Sequence, residues 1–386
     1  MRKVCIITTN RSDYSRLKPV AEEIKKRNDL QLQLIVTASH LLKDFGDTID
    51  DIKTDKFDIT AVARTIIEGE DPVAMAKSVG VGALELPTLL NIYKPDIVVV
   101  HGDRFDVLPA AISAALMNIH LAHIQGGEVT GNIDESIRHA ITKLSHFHFP
   151  ATKEAAERII KLGEDPSKVF VCGCPSMDYF KKYENVTREE LIARNAEFNK
   201  KHGVNADFSK PYILLIQHPV TTEFETVGKQ MKEVMEAVAL LKMQTIMIYP
   251  NIDAGSVKMI SVIRGYEDKT KYPFIWMFKH ILFEDFIPIL KFASCVVGNS
   301  STITRESCFF GVPAVNIGTR QSGRQRGKNV VDVGYDRNEI KKAIEEAIKV
   351  GRYPPEAIYG NGGAGKKIAE ILATVDLGPV QKKIRY

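Results

Sequence analysis

The sequence predicts an α/β protein made of two parallel-sheet halves. Three observations carry this. Short apolar runs rich in β-branched residues alternate with amphipathic stretches of helical period. The alternation runs to about residue 172, pauses over a charged stretch, and resumes. A length of 386 residues is more than one such unit usually holds.

In the first half, strands are expected at residues 4–9, 32–37, 96–101, 120–124, 147–149 and 169–172. Ser12 or Asp13 is expected to cap a helix reaching about residue 27. A second helix is expected over 40–52. Pro72 opens a long one to 93, because proline is favoured at a first helical position. Further helices cover 105–117, 134–145 and 153–162. Residues 175–210 are richer in charge, with a helix near 188–201, and read as the linker and the start of the second half. There the strands fall at 212–217, 245–249, 274–277, 293–297 and 314–317. The helices fall at 223–241, 256–266, 283–291 and 339–349, with a last one at 366–373 after a glycine-rich segment. Parallel sheets of this kind are covered on both faces and bind ligands beyond the carboxyl ends of their strands. The loops at 10–15, 102–104 and 125–134 are therefore the places to look, and two such halves point to a ligand cleft between domains.

The composition, 44% hydrophobic and 26% charged, is that of a globular protein. A net charge of +4 without a lysine-arginine block argues against nucleic acid or a membrane surface as partner, and fits a small anionic ligand. The five cysteines, Cys5, Cys172, Cys174, Cys295 and Cys308, read as buried free thiols of a reducing compartment. The apolar run after Met1 stops at Asn10, too short for a signal core, and no apolar stretch is read as long enough to span a bilayer. A cytoplasmic location is expected.

One stretch has the chemistry of an anion site. Val296 and Val297 end a strand, Gly298 and Asn299 permit a tight turn, and Ser300 or Ser301 is expected to cap a helix with Glu306 in its second turn. Backbone N–H groups, two hydroxyls and a helix dipole would converge on a phosphate, with Glu306 placed for sugar hydroxyls. The plainer reading is an ordinary capped helix. Arg11, Arg104 and Arg320, all in loops beside strand ends, favour a nucleotide diphosphate, because arginine forks match phosphate oxygens. Neither a GxxxxGK[ST] loop nor a GxGxxG after the first strand is present. The carboxylates Asp103, Glu128 and Asp134 and the imidazole of His218 are candidates for acid/base work, although Asp134 also suits a helix cap. The histidines make no metal set: His120 and His123 fall on opposite faces of one strand, and His146 and His148 have no nearby acidic or cysteine partner in sequence.

The runs Val100-His101-Gly102-Asp103-Arg104-Phe105, His123-Ile124-Gln125-Gly126-Gly127-Glu128, Gln217-His218-Pro219 and Gly298-Asn299-Ser300-Ser301 resemble the UDP-N-acetylglucosamine 2-epimerases. The likeness is greatest to the hydrolysing branch that makes N-acetylmannosamine for sialic acid synthesis, in bacteria and in the epimerase half of the animal bifunctional enzyme. It continues through Asp253-Ala254-Gly255-Ser256 and Gly318-Thr319-Arg320. No kinase domain follows, so any kinase is expected to be a separate protein. The resemblance implies a GT-B-like arrangement of two Rossmann-like domains with UDP in the cleft: 1–175 plus 365–386, and 176–364. It implies UDP-sugar contacts at Arg11, Ser15, Arg104, Asn251, His280, Gly298, Ser300, Ser301, Glu306 and Arg320, and acid/base or sugar-positioning roles for Asp103, Glu128, Asp134 and His218. The implied reaction eliminates UDP across C1–C2 to a 2-acetamidoglucal and adds water. No cofactor is implied, since no hydride moves, and a homodimer or homotetramer is expected.

Two positions depart from the family pattern. Gln125 stands where non-hydrolysing relatives carry a catalytic glutamate, so Glu128, three residues on, is expected to take that role. Ser261 stands at one of two arginine positions, beside Arg264, through which the animal enzyme responds to CMP-sialic acid. The alternative readings are a hydrolysing epimerase of a UDP-2,4-diacetamido-trideoxyhexose, a non-hydrolysing epimerase, a GT-B glycosyltransferase, or a non-catalytic UDP-sugar sensor.

Overall fold

The structure, a computed structural model, describes residues 1–42, 48–69 and 71–385. In β1 (Arg2–Thr8), Val4 and Ile6 enter one hydrophobic cluster and Cys5 and Ile7 another, none more than 1% exposed. Successive side chains of a strand point to opposite faces, so the unbroken apolar run Val4 to Ile7 must be covered on both sides.

The chain divides into two compact units, Met1–Val129 with Ile133–Lys181 and Tyr359–Tyr386, and Thr130–Asn132 with Lys182–Ile358. In the first, β1 is followed by α1 (Arg11–Lys25), β2 (Leu30–Thr37), α2 (Ile49–Thr54), β3 (Ala61–Ala63), α3 (Pro72–Tyr93), β4 (Ile97–His101) and α4 (Leu108–Leu116). Then come β5 (His120–Ile124), α5 (Asp134–Leu144), β6 (Phe147–Phe149), α6 (Lys153–Lys161) and α7 (Met177–Lys182). The second holds α8 (Arg188–Ala193), α9 (Asn195–His202), β7 (Tyr212–Ile216), α10 (Val227–Leu241), β8 (Gln244–Ile248), α11 (Ser256–Arg264) and β9 (Ile275–Phe278). It continues through α12 (Phe283–Phe292), β10 (Cys295–Gly298), α13 (Glu306–Phe309), β11 (Ala314–Ile317), β12 (Val330–Val333) and α14 (Arg337–Val350). The last helix, α15 (Ala364–Thr374), packs on α1 of the first unit.

Both sheets are parallel, in the orders β3-β2-β1-β4-β5-β6 and β12-β11-β10-β7-β8-β9. Taken from its first strand, each winds outward one way and then restarts beside that strand and winds the other way. The pairs β1/β4 and β7/β10 are therefore switch points, where neighbouring strand-end loops diverge and leave room for a ligand. This is the α/β, doubled Rossmann-like fold that the alternation predicts.

The first unit takes more of the connecting chain than the expected boundaries at 175/176 and 364/365. The Asp178 carboxylate on α7 accepts from the backbone N–H groups of Ala364 and Gly365, each at 2.9 Å. It thus closes the start of α15, which has only Gly363 at its N-cap. Other expectations also change. Residues 169–172 make only an isolated bridge, Val169 to His148, and no strand. β3 and β12 fall where the sequence reading expects no strand. The helix expected over 188–201 breaks at Arg194 into α8 and α9, and the one over 223–241 opens with a 3-10 turn, Thr221–Thr226. Of the helix expected over 40–52, Ala38–Leu41 is a 3-10 turn and α2 begins at Ile49, while residues 43–47 lie outside the described residues.

The expectation that no stretch is long and apolar enough for a bilayer also needs correction. α3 has 22 residues and a mean hydropathy of 1.3 over its most apolar window, 28% of that window being buried. Its buried residues Ala74, Ser78, Gly82, Leu86 and Leu90 recur every four positions, so one stripe packs inward. At Gly82 an added Cβ would meet Pro109 Cβ at 2.7 Å, which shows how closely α3 crosses the start of α4.

Candidate active site

In the first unit the groups gather at the β1/β4 switch point and the neighbouring end of β5. Arg11 is the first residue of α1. Its N-cap is Asn10, not Ser12 or Asp13: Asn10 Oδ1 accepts from the N–H groups of Ser12 (2.9 Å) and Asp13 (3.1 Å). Asp13 instead reaches back to the Asn10 N–H at 3.2 Å, closing a capping box. Burial lowers the Arg11 pKa to about 10 against the pull of Asp51, so the guanidinium stays charged at neutral pH. After β4, Asp103 is ion-paired with Arg138 of α5, whose side chain is 1% exposed. Arg138 Nη1 also donates to the Glu128 carbonyl at 2.8 Å. One buried arginine thus ties the loop after β4 to the loop after β5. Arg104 lies against Asp106 at 3.4 Å and over the ring of Phe105.

His123 fixes the same loop from beneath. Its Nε2 bonds the Gly102 carbonyl at 2.7 Å and its Nδ1 meets Thr142 Oγ1 at 3.1 Å. Burial lowers its pKa to about 3, so the ring is neutral. A carbonyl only accepts, so Nε2 carries the proton and Nδ1 takes the Thr142 hydroxyl. Gln125 is buried, adopts φ +61°, and pairs through Oε1 with His101 Nε2. Glu128 is 5% exposed and Asp134, the first residue of α5, 9%. The N-cap of α5 is Ile133, without a side-chain bond, so Asp134 is not the cap.

In the second unit the β7/β10 switch point is closed by a reciprocal pair. The His218 N–H donates to Asn299 Oδ1 at 2.7 Å, and Asn299 Nδ2 donates to the His218 carbonyl at 2.9 Å. Asn251, after β8, donates its N–H to His218 Nδ1 at 3.2 Å, which places the proton of a neutral ring on Nε2. Gly298 has φ +124°, and a Cβ there would lie 2.1 Å from the Ile216 carbonyl oxygen.

The helix expected after Ser300 is not continuous. Ser300 caps a 3-10 turn, Ser301–Ile303, accepting from Thr302 N at 3.4 Å, and α13 begins afresh at Glu306 with four residues. The N–H groups of Asn299 and Ser300 both donate to Ile216 O, at 3.1 and 3.2 Å. A macrodipole needs several aligned turns, so little of the expected dipole is left. Positive charge comes from side chains instead. Arg320 Nη1 (3.3 Å) and Gln321 Nε2 (2.7 Å) both donate to the Asn299 carbonyl, and Arg324 Nη1 donates to Gln321 Oε1 at 2.8 Å. Arg305, Arg324 and Glu306 are all buried in this unit.

The structure therefore brings Arg11, Asp103, Arg104, Glu128 and Asp134 to one strand-end edge, and Asn251, His218, Gly298, Ser300, Ser301, Glu306 and Arg320 to the other. Two expected ligands sit less simply. Ser15 donates its hydroxyl to Ser12 O at 2.7 Å and accepts from Arg16 Nη1 at 3.1 Å. His280 follows β9, the outermost strand, two strands from β7. Sequence reasoning missed Arg138, Asn299 and Arg324. Arg138 had a signal, since it lies four residues after Asp134 on the same helix face. Among the described residues no group of three or more His, Cys, Asp or Glu side chains is gathered for a metal.

A profile of the family described as UDP-N-acetylglucosamine 2-epimerase matches residues 22–373. The UDP-N,N′-diacetylbacillosamine 2-epimerase (hydrolyzing) of Legionella pneumophila is 33% identical over 377 residues, covering 98% of this chain and 97% of that protein. The UDP-N-acetylglucosamine 2-epimerase of Neisseria meningitidis is 33% identical over 379 residues, covering 98% and 96%. The solved UDP-GlcNAc 2-epimerase of Methanocaldococcus jannaschii, in complex with UDP-GlcNAc and UDP, matches with a TM-score of 0.77 at 19% identity over 96% of this chain and 99% of that one.

Proposed function

The chain belongs to the UDP-N-acetylglucosamine 2-epimerase family and is a UDP-sugar 2-epimerase, and from that premise we propose that it is a hydrolysing one, converting UDP-N-acetylglucosamine and water to N-acetylmannosamine and UDP. The observation that supports the hydrolysing mode is Gln125. A neutral amide, held in a left-handed turn against His101, stands where the retaining reaction needs a carboxylate base. The Legionella pneumophila relative, a hydrolysing 2-epimerase by name, points the same way.

In this reading the C2 proton has no neighbouring carbonyl to acidify it, so the C1–O bond must weaken early. Charge then grows on the departing diphosphate. Arg11, Arg104, Arg320 and the hydroxyls of Ser300 and Ser301 stabilise it, and Glu306 holds the ribose hydroxyls. Glu128 takes the C2 proton. Asp103, ion-paired with Arg138, and Asp134 orient the sugar and the attacking water, and His218 Nε2–H donates toward the glycosidic side. UDP leaves with the C1–O electron pair, the C2–H pair forms the C1–C2 double bond, and water adds at C1 as a proton returns to the opposite face of C2. A second copy of the chain is the proposed partner. The cytoplasm is the proposed location, on the strength of five buried free thiols.

A second reading keeps the chemistry and changes the sugar to a UDP-2,4-diacetamido-trideoxyhexose. It is favoured by the 33% identity to the Legionella pneumophila protein, as high as that to the Neisseria meningitidis one. Both are tested by incubating the pure protein with each UDP-sugar in D₂O and following products by proton NMR. Free UDP and a 2-epimerised free sugar carrying deuterium at C2 are expected. A UDP-linked epimer without free sugar would overturn the hydrolysing mode.

A further inference from the structure

The side chain of Asp106 is fully buried, and a buried carboxylate must be paired or hydrogen-bonded. Its Oδ2 faces Arg104 Nε and Nη2, both at 3.4 Å, and its Oδ1 lies 3.1 Å from Thr9 Oγ1. The same Thr9 oxygen is 2.7 Å from Asp13 Oδ2 and accepts from Asn10 Nδ2 at 2.9 Å. A hydroxyl has one proton, so Thr9 serves two carboxylates with a single donor and neither can be held by it alone. Asp13 has independent support from Thr8 Oγ1 at 2.5 Å and the Thr9 N–H at 2.8 Å. Asp106 has Arg104. Thr8 Oγ1 also meets His40 Nε2 at 2.9 Å, and His40 Nδ1 meets Thr48 Oγ1 at 2.7 Å, which carries the network to the chain after β2.

We propose that Asp106 is a positioning residue: through its grip on Arg104 and the Thr9 bridge to Asp13 it joins the loops after β1 and β4 into one brace, so that Arg104 is set before a diphosphate arrives. This rests on the reading that Arg104 serves the UDP diphosphate. A free arginine loses about 2 kcal/mol of rotamer freedom when a ligand fixes it. A guanidinium already held by Asp106 does not incur that loss on binding, and preorganisation of this kind raises affinity.

The test combines two readouts on the full chain. The ¹⁵N-arginine spectrum of the ligand-free protein reports whether the Arg104 Nε–H is held, and calorimetric titration with UDP reports affinity. Asp106→Ala is expected to lose the slowly exchanging Arg104 Nε–H signal. It should also weaken UDP binding roughly tenfold, as Arg104→Ala does, with the double variant no weaker than Arg104→Ala alone. Asp106→Asn keeps volume and an acceptor oxygen and is expected to recover most of the affinity, which a role in folding alone would not predict. An unchanged Arg104 signal in Asp106→Ala, or additive losses in the double variant, would overturn the proposal. If the wild-type chain does not bind UDP, the functional reading fails, and the arginine spectrum still decides the positioning.

Discussion

Gln125 shows how one residue narrows the chemistry. A non-glycine residue at φ +61° carries backbone strain of about 1–3 kcal/mol, and it is held here by its N–H to Phe149 O at 3.0 Å and by His101. With an amide at that point, the proposed mechanism gives proton abstraction to Glu128. Glu128→Gln is expected to lower kcat by roughly 10²–10⁴ while leaving UDP affinity in place; near-normal turnover would remove Glu128 from the mechanism. A second residue sets acid stability. Glu164, 4% exposed, accepts from Lys143 Nζ and Lys382 Nζ, each at 2.6 Å, and from His148 Nε2 at 3.2 Å. Burial pushes its pKa up, but these bonds more than reverse that and bring it from 4.5 to about 2. A folded pKa below the unfolded one stabilises above 4.5, and that stability is lost as pH falls from there toward 2. Buried His148, its pKa lowered by desolvation, acts in the same direction below its ordinary value of 6.5. Tm is therefore expected to begin falling below about pH 6.5 and to keep falling toward pH 2. Glu164→Gln should lower Tm at pH 7, costing on the order of 3 kcal/mol, and flatten the part of the fall below pH 4.5.

Among the elements, the turn after β10 depends on glycine geometry more than on helix geometry. Gly298→Ala meets both a φ of +124° and the Ile216 carbonyl, so it is expected to cost about 3 kcal/mol or more by denaturant unfolding and to abolish UDP binding. Gly203→Ala is the control. It shares a positive φ, +64°, at the end of α9, but a Cβ there meets nothing within 4 Å. About 1–2 kcal/mol is expected for it, with UDP binding intact. Equal losses at the two sites would mean that the close approach of β10 to Ile216 is unimportant. The pattern of hydrophobic residues made β5, β6, α3 and β11 legible to the residue, since two-faced burial and proline at a helix start are local signals. The broken helix at 301–309 was not legible: a serine cap followed by apolar residues reads the same whether or not the first turn continues into the second.

For the whole molecule, large apolar side chains on adjacent helices stand out. Leu84 and Ile92 on α3 are 77% and 61% exposed, and Leu116 on α4 is 79% exposed. Large apolar side chains this exposed are candidates for an interaction site, and a second copy of the chain is the proposed occupant. Leu84→Glu with Leu116→Glu is expected to shift the mass in light scattering toward one chain without lowering Tm appreciably, because neither side chain contributes to the core of its own unit. A wild-type protein already of single-chain mass would sink the idea. By itself the sequence determined the α/β class, the two halves and the loops worth searching, because alternation and burial on both faces are written in neighbouring residues. Only the tertiary structure decided the strand order that makes switch points of β1/β4 and β7/β10. It also decided the pairing of Asp103 with Arg138 and the bridge from Thr9 to Asp106, 97 positions apart. Those contacts join residues far apart in the chain, where spacing carries no signal and the winding of the sheet sets which loops meet.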